Sequence, residues 1–242
     1  MHFQVITIFP ELFDGFLSTS LVGRAVEADK MSVTVHDLRR FTTDRHRTVD
    51  DEPYGGGGGM VMKAQPWLAA VESVGPARRI LLSPQGARLD EAAVRRLSGY
   101  SDLLLLCGRY EGVDERVIES VVDEELSIGD FVLSGGELAA MVVIEAVSRQ
   151  IPGVVGLTDS VERDSFRDGR LDYPHYTRPQ EVQGMSVPEV LLSGDHAQIE
   201  RWRREKSLMA TATKRPDLLA NLDLTADDKE FLRRAGFESV AD

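Results

Sequence analysis

The sequence predicts an α/β fold with a mostly parallel sheet, followed by a small all-α C-terminal domain. Three observations carry this. Short apolar runs such as residues 103–107 (LLLLC) sit between turn signals, as strands buried on both faces do. These runs alternate with amphipathic stretches, a β-α-β-α order that belongs to parallel sheets. From residue 187 the strand pattern stops and helical periodicity takes over.

Residues 3–9 are expected as the first strand, and Pro10 opens a helix at a position where its missing N–H costs nothing. A short helix over 20–29 and an alternating strand over 31–36 follow. Residues 37–59 form a long polar loop without periodicity, a length that in a compact domain points to function or disorder. A helix over 65–74, a strand over 79–83 and a helix over 90–97 capped by Asp90 come next. The strand 103–107, a helix over about 112–121, a strand near 128–133 and a helix over 137–149 complete the first part. Residues 151–179 are rich in Pro, Gly, Asp, Ser and Thr and are expected as an interdomain linker or a mobile lid. In the tail, which is expected to hold no sheet, Asp195 caps a helix through Trp202 and Leu208. Thr225 opens the last one with a capping-box pattern in which Asp228 replaces Glu or Gln.

Hydrophobic residues make up 42% of the 242, enough for a sizeable core, and no apolar run approaches the ~20 residues of a membrane span. The N-terminus lacks the basic and small-residue features of a secretory signal. The single Cys107 excludes a disulfide framework and fits a reducing cytoplasmic setting, where it is expected as a small buried hydrophobe. His46, His175 and His196 lack metal-ligand spacing, so no metal ligand is assigned. Trp67 and Trp202 are expected as core residues of their helices.

The formal net charge of −12 argues by itself against a nucleic-acid partner. The charge is uneven, however. Residues 36–47 carry Arg39, Arg40, Arg45 and Arg47 against Asp37 and Asp44, and residues 201–215 carry six cations against Glu205 alone. Residues 111–130 carry eight acids and one base. A basic face can hold phosphates on an acidic protein, although any one such cluster is more often a solvated surface.

Glycine-bearing loops end three of the apolar runs: 83–86, 108–112 and 134–137. In parallel α/β sheets ligands bind at the carboxyl ends of strands, so three such loops can line one pocket. None fits the dinucleotide fingerprint, and the run Gly55–Gly59 is not a P-loop because no Gly-Lys-Ser/Thr follows it. The glycine run is either a hinge or a close-approach loop, flanked by bases, hydroxyls and acids suited to a polyanion with polar edges.

Seven segments together resemble the bacterial tRNA (guanine-N1-)-methyltransferase family, which acts on guanine 37 of tRNA. They are RHRTVDDEPYGGGGGM (45–60), LSPQG (82–86), LCGRYEGVDERVIE (106–119), EELSIGDFVLSGGELAAM (124–141), SRQIPGVVG (148–156), DSFRDGRLDYPHYTRP (164–179) and VLLSGDHAQIERWR (190–203). The resemblance implies a parallel-sheet SPOUT domain with a deep trefoil knot over 1–160, a linker or lid over 161–178, and a helical tRNA-binding domain over 179–242. It implies S-adenosylmethionine as methyl donor, held by Ser83, Pro84, Gly108, Tyr110, Glu111, Ile128, Gly129, Asp130, Phe131, Val132, Leu133, Gly135 and Gly136. It makes Asp164 the general base and Arg149 the group that stabilises charge on the substrate. tRNA is expected at Arg45, His46, Asp50, Gly55, Gly56, Ser165, Arg201, Arg203 and Arg204. A homodimer with a composite active site, Mg2+ dependence with no site assigned, a cytoplasmic location and no membrane partner complete what it implies. Two positions depart from the commonest family pattern: Gly58 and Ala139 stand where proline is frequent. Two rival classes remain at this stage: a non-catalytic RNA-binding protein of the same fold, and a nucleotide-dependent α/β enzyme of ordinary topology.

Overall fold

The computed structural model describes residues 1–156 and 164–237. The chain divides into two compact units, Met1–Thr158 and Asp159–Asp242. The boundary expected at 160–161 lies outside the described residues.

The first unit is built on five parallel strands in the order β2-β1-β6-β5-β7, namely β1 (His2–Thr7), β2 (Ser32–Asp37), β5 (Arg78–Arg88), β6 (Asp102–Cys107) and β7 (Glu124–Ser127). Side chains alternate across a strand, and β6 shows the consequence. Leu103, Leu105 and Cys107 join Phe3, Val5, Ile80 and Leu82 in one core. Leu104 and Leu106 join Ile6 and Leu81 in a second core on the opposite face. Helices α2 (Ser20–Glu27), α4 (Glu91–Ser98) and α6 (Glu137–Ser148) cover the first face through residues such as Val22, Val94 and Val143. Helices α3 (Ala64–Val74) and α5 (Glu115–Val121) cover the second through Trp67, Val71 and Val117. Both faces of the sheet are thus closed, which is why its strands read as continuous apolar runs. A 3-10 turn, Pro10–Phe13, precedes the short α1 (Asp14–Ser18). Asp90 caps α4 by accepting from Ala93 N.

Three sequence expectations are corrected here. The last strand is Glu124–Ser127, not 128–133. Its charged residues resemble a loop, but Glu124 sits on an edge strand and accepts from Arg78 (3.1 Å) and Arg96 (2.7 Å), while Leu126 is buried. The more apolar Phe131, Val132 and Leu133 lie in an exposed loop. The 37–59 segment is not structureless. It contains a 3-10 turn, Leu38–Phe41, and strand β3 (Asp50–Asp51), which pairs antiparallel with β4 (Val61–Met62) and so clasps the glycine run. Strand β5 runs on to Arg88: Leu82 and Ala87 both pair with Leu126, so residues 83–86 swing out between them.

The second unit packs Leu208, Ala212, Leu219 and Leu232 around the long helix His196–Lys214 and the helix Ala226–Arg234. Asp195 caps the first through Ala197 N and Gln198 N, and Thr225 with Asp228 forms a full capping box on the second. The tail is not free of sheet, because Glu181–Val182 and Met185–Ser186 form a small hairpin. The extended residues before it are pinned to the long helix: Leu171 N donates to Thr211 Oγ1 (3.0 Å) and Ser207 Oγ donates to the Leu171 carbonyl (2.6 Å). Trp202 is not part of this core. It lies half-buried, 6.3 Å from the Tyr176 ring and under the Lys206 ammonium.

Candidate active site

Because all five strands are parallel, the segments after Leu82 of β5, Cys107 of β6 and Ser127 of β7 emerge at one sheet edge. They enclose a cavity of about 400 Å³, within the range of small-molecule sites. Twelve of the residues expected to hold the donor line it: Ser83, Pro84, Gly108, Tyr110, Glu111, Ile128, Gly129, Phe131, Val132, Leu133, Gly135 and Gly136. Asp130 is exposed and outside the lining.

Backbone contacts hold these loops together. Gly136 N donates to the Gly108 carbonyl (3.0 Å), and Arg109 bridges Gly135. A Cβ at Gly136 would stand 2.8 Å from Cys107 Cα, so only glycine lets α6 start against the end of β6. Behind the cavity lies a polar network that the sequence reading missed. Glu137, 1% exposed, accepts from Thr7 Oγ1 (2.7 Å) and from Arg109 Nε (3.0 Å). The Arg109 guanidinium also lies 4.5 Å from the Phe9 ring centroid. Glu137 occupies the first turn of α6, where the helix dipole favours a carboxylate. That placement, directly after two glycines, was the available signal. Burial, reinforced by the Glu137 carboxylate, pushes the Cys107 thiol up, so it is inert packing.

The cavity's charge is one-sided. Glu111, Glu115 and Glu125 line it, and the cation in the lining, Arg109, is committed to Glu137. Such a lining suits a cationic ligand and disfavours a polyphosphate.

The glycine run is tied to this cavity. Glu111 N donates to the Met60 carbonyl (3.0 Å), Met62 N to the Gly112 carbonyl (2.9 Å), and Met62 bridges Val113. Asp50 pairs with Met62 across β3 and β4, and Gly55 and Gly56 lie in the clasped loop. Arg45 and His46 are exposed between Leu38 and Val49, both of which are fully buried.

The remaining expected residues lie elsewhere. Arg149 is half-buried at the C-terminus of α6. Asp164 lines a different cavity of about 540 Å³ inside the second unit, along with Arg201, Arg203 and Arg204. Ser165 Oγ accepts from Asp172 N (2.9 Å). The three tail arginines are paired: Arg201 with Glu205 (3.0 Å), Arg203 with Glu200 (2.6 Å), and Arg204 through two bonds with Asp228 (2.6 and 2.5 Å). Burial raises the Asp228 carboxyl, but hydrogen bonds from Arg204 and Thr225 outweigh it and hold the group at about 2.

Comparison with known proteins gives a consistent result. Residues 1–221 match the family described as tRNA (Guanine-1)-methyltransferase TrmD. A tRNA (guanine-N(1)-)-methyltransferase of Geobacter sulfurreducens is 55% identical over 96% of both chains. Proteins of the same description from Caldanaerobacter subterraneus subsp. tengcongensis and Methylococcus capsulatus are each 54% identical. The first covers 98% of this chain and all of the relative, and the second covers 96% and 94%.

Proposed function

The chain belongs to the tRNA (guanine-N1-)-methyltransferase family, and from that premise we propose that it transfers a methyl group from S-adenosylmethionine to N1 of guanine 37 in tRNA. The observation that carries the proposal at the level of the site is the cavity at the ends of β5, β6 and β7, with its close-packed glycines and its acidic lining. The residues present fit the donor: apolar walls from Ile128, Phe131 and Leu133, a backbone cradle at Gly108 and Gly136, and carboxylates for a cation. When bound, the donor supplies an electrophilic methyl carbon on a sulfonium.

The chain's own work lies with the acceptor. Neutral guanine carries a proton on N1 and is a poor nucleophile until that proton leaves. Asp164 takes it as general base, provided it comes within hydrogen-bond reach of N1. Negative charge then spreads toward O6, where the Arg149 guanidinium stabilises it. The loops around the cavity hold the methyl carbon and N1 in line and exclude water. The guanine must leave its stack to reach the cavity. Arg45, His46, Asp50, Gly55, Gly56 and Ser165 are proposed to contact the tRNA.

We place these roles in a homodimer with a composite active site. The exposed Phe131, Val132, Leu138 and Val142 support a second copy as cover for this apolar surface. The fold is proposed to be the knotted SPOUT arrangement over 1–160, with 161–178 as linker or lid and 179–242 as the RNA-binding domain. A cytoplasmic location is part of the proposal; separately, no described helix is long and apolar enough to cross a membrane. Among the described residues, no three His, Cys, Asp or Glu side chains converge as a metal site.

The test is incubation with labelled S-adenosylmethionine and tRNA transcripts bearing guanine or adenine at position 37. Label in the guanine transcript alone is the expected result. Label in both, or in neither, overturns the assignment.

A further inference from the structure

The tail arginines that charge counting favoured as phosphate ligands are all ion-paired, whereas those of the 38–49 segment are not. Among the described residues, no carboxylate forms an ion pair with Arg39, Arg40, Arg45 or Arg47. The acid that precedes the segment, Asp37, and the acid within it, Asp44, are both engaged by its own donors. Asp37 Oδ1 accepts from Arg39 N (2.9 Å), and the Asp44 carboxylate accepts from His46 N (2.9 Å), Thr48 N (3.0 Å) and Thr48 Oγ1 (3.1 Å). Leu38 and Val49, both fully buried, nail the two ends of the segment into the core, and Phe41 packs against the same core. The segment is therefore a shaped basic rim on an acidic protein.

Its place in the fold matters as much as its charge. It leaves the carboxyl end of β2, at the same sheet edge as the donor cavity. Strand β2 stands two places from β6, a separation of about 10 Å at normal strand spacing. The rim is also wired to the cavity: Lys63 N donates to the Val49 carbonyl (2.8 Å), and Met62 next to it joins Gly112 and Val113. A nucleotide seated at the cavity would leave its neighbours' phosphates a strand spacing or two away, over this rim.

We infer that Arg39, Arg40, Arg45 and Arg47 form the phosphate clamp that holds the RNA strand beside the target base, whereas Arg204 is engaged in joining two helices of the tail through Asp228. Arg39, Arg40 and Arg47 thereby gain a role in substrate binding. The inference rests on the RNA-methylation reading above and deepens it.

The experiment measures binding of a guanine-37 tRNA transcript by the full-length protein over a salt series, for the parent and for two quadruple variants. One is Arg39→Gln, Arg40→Gln, Arg45→Gln and Arg47→Gln; the other places lysine at the same four positions. Each phosphate contact contributes about 0.7–0.9 to the log–log salt slope. The glutamine variant is expected to lose roughly 3 units of slope and at least about tenfold in affinity at moderate salt. Its S-adenosylmethionine affinity and melting temperature should stay at parental values, and the lysine variant should recover most of the slope. An unchanged slope in the glutamine variant, or a lysine variant that recovers none of it, overturns the clamp. If the parent labels the guanine transcript while the clamp test fails, only the clamp falls. If the parent labels neither transcript, the functional reading falls first.

Discussion

Gly86→Ala is the sharpest structural test of how the donor cavity is built. Residues 83–86 swing out of β5 and return so that Ala87 pairs with Leu126, the residue that Leu82 also pairs with. At the return, a Cβ on Gly86 would stand 2.3 Å from Leu126 N, 2.4 Å from Glu125 C and 2.6 Å from Glu125 O. These are backbone atoms of β7 and cannot rotate away. Ordinary contact needs β7 to retreat by about 1 Å, against a ladder that fixes it at Ile80, Leu81 and Leu82 on one side of the swing and at Arg88 on the other. Overpacking of this kind is expected to cost about 2–3 kcal/mol. Glu125, Leu126 and Ser127 also line the cavity, so a shift of about that size should weaken S-adenosylmethionine roughly tenfold or more. Urea unfolding and isothermal titration read the two effects. Gly58→Ala is the control: nothing lies within 4 Å of its Cβ and its backbone is not left-handed, so it should stabilise by about 0.4–1 kcal/mol. If Gly86→Ala unfolds within about 0.5 kcal/mol of the parent and binds the donor normally, the close approach is wrong.

Glu137→Gln keeps the volume but removes the charge that faces Arg109. With Arg109 21% exposed, a loss of about 1.5–3 kcal/mol is expected by chemical denaturation, and a loss below about 0.5 kcal/mol would count against a stabilising network. The Arg204–Asp228 pair predicts an acid-dependent stability. The Asp228 pKa falls from 3.8 unfolded to about 2 folded, so its contribution is present above pH 3.8 and fades as pH drops through about 2. Screening at the half-exposed Arg204 limits that contribution to about 1–2 kcal/mol. Arg204→Ala should remove that much at neutral pH and flatten the decline between pH 4 and 2; a decline as steep as the parent's would refute the pairing. Asp164→Asn should bind the donor normally and lose at least about 100-fold in turnover, and near-parental turnover would end its assignment as base.

What could be read in advance follows from how each element reports its environment. Strand β6 was legible because both of its faces are buried, which forces an unbroken apolar run. The caps Asp90, Asp195 and Thr225 were legible because a helix start needs a local acceptor three residues from its donors. Strand β7 was not, because its four residues are too few and too charged to show a period, and Glu124 finds its partners Arg78 and Arg96 far away in the chain. The β3–β4 clasp has two residues per strand, too few to show a period. Most of the donor cavity was legible through its glycine loops; behind it, Glu137 had a local signal in its first-turn position, but its partners Arg109 and Thr7 did not, since the network joins residues from three elements that no local spacing links.

Charge shows the same limit more forcefully. Counted along the sequence, residues 201–215 form the stronger basic cluster, with six cations against one acid. Folding brings Glu200, Asp217 and Asp228 to those cations and consumes Arg201, Arg203, Arg204 and Arg215 in ion pairs. Across residues 36–47 the cations outnumber the acids only four to two, yet that segment keeps its guanidinium groups available because both acids are spent on backbone donors. Counterion release depends on cations that can reach phosphate, not on their number per segment. An acidic protein can therefore divide its surface, with carboxylates around a sulfonium-sized cavity and unpaired arginines on the rim beside it.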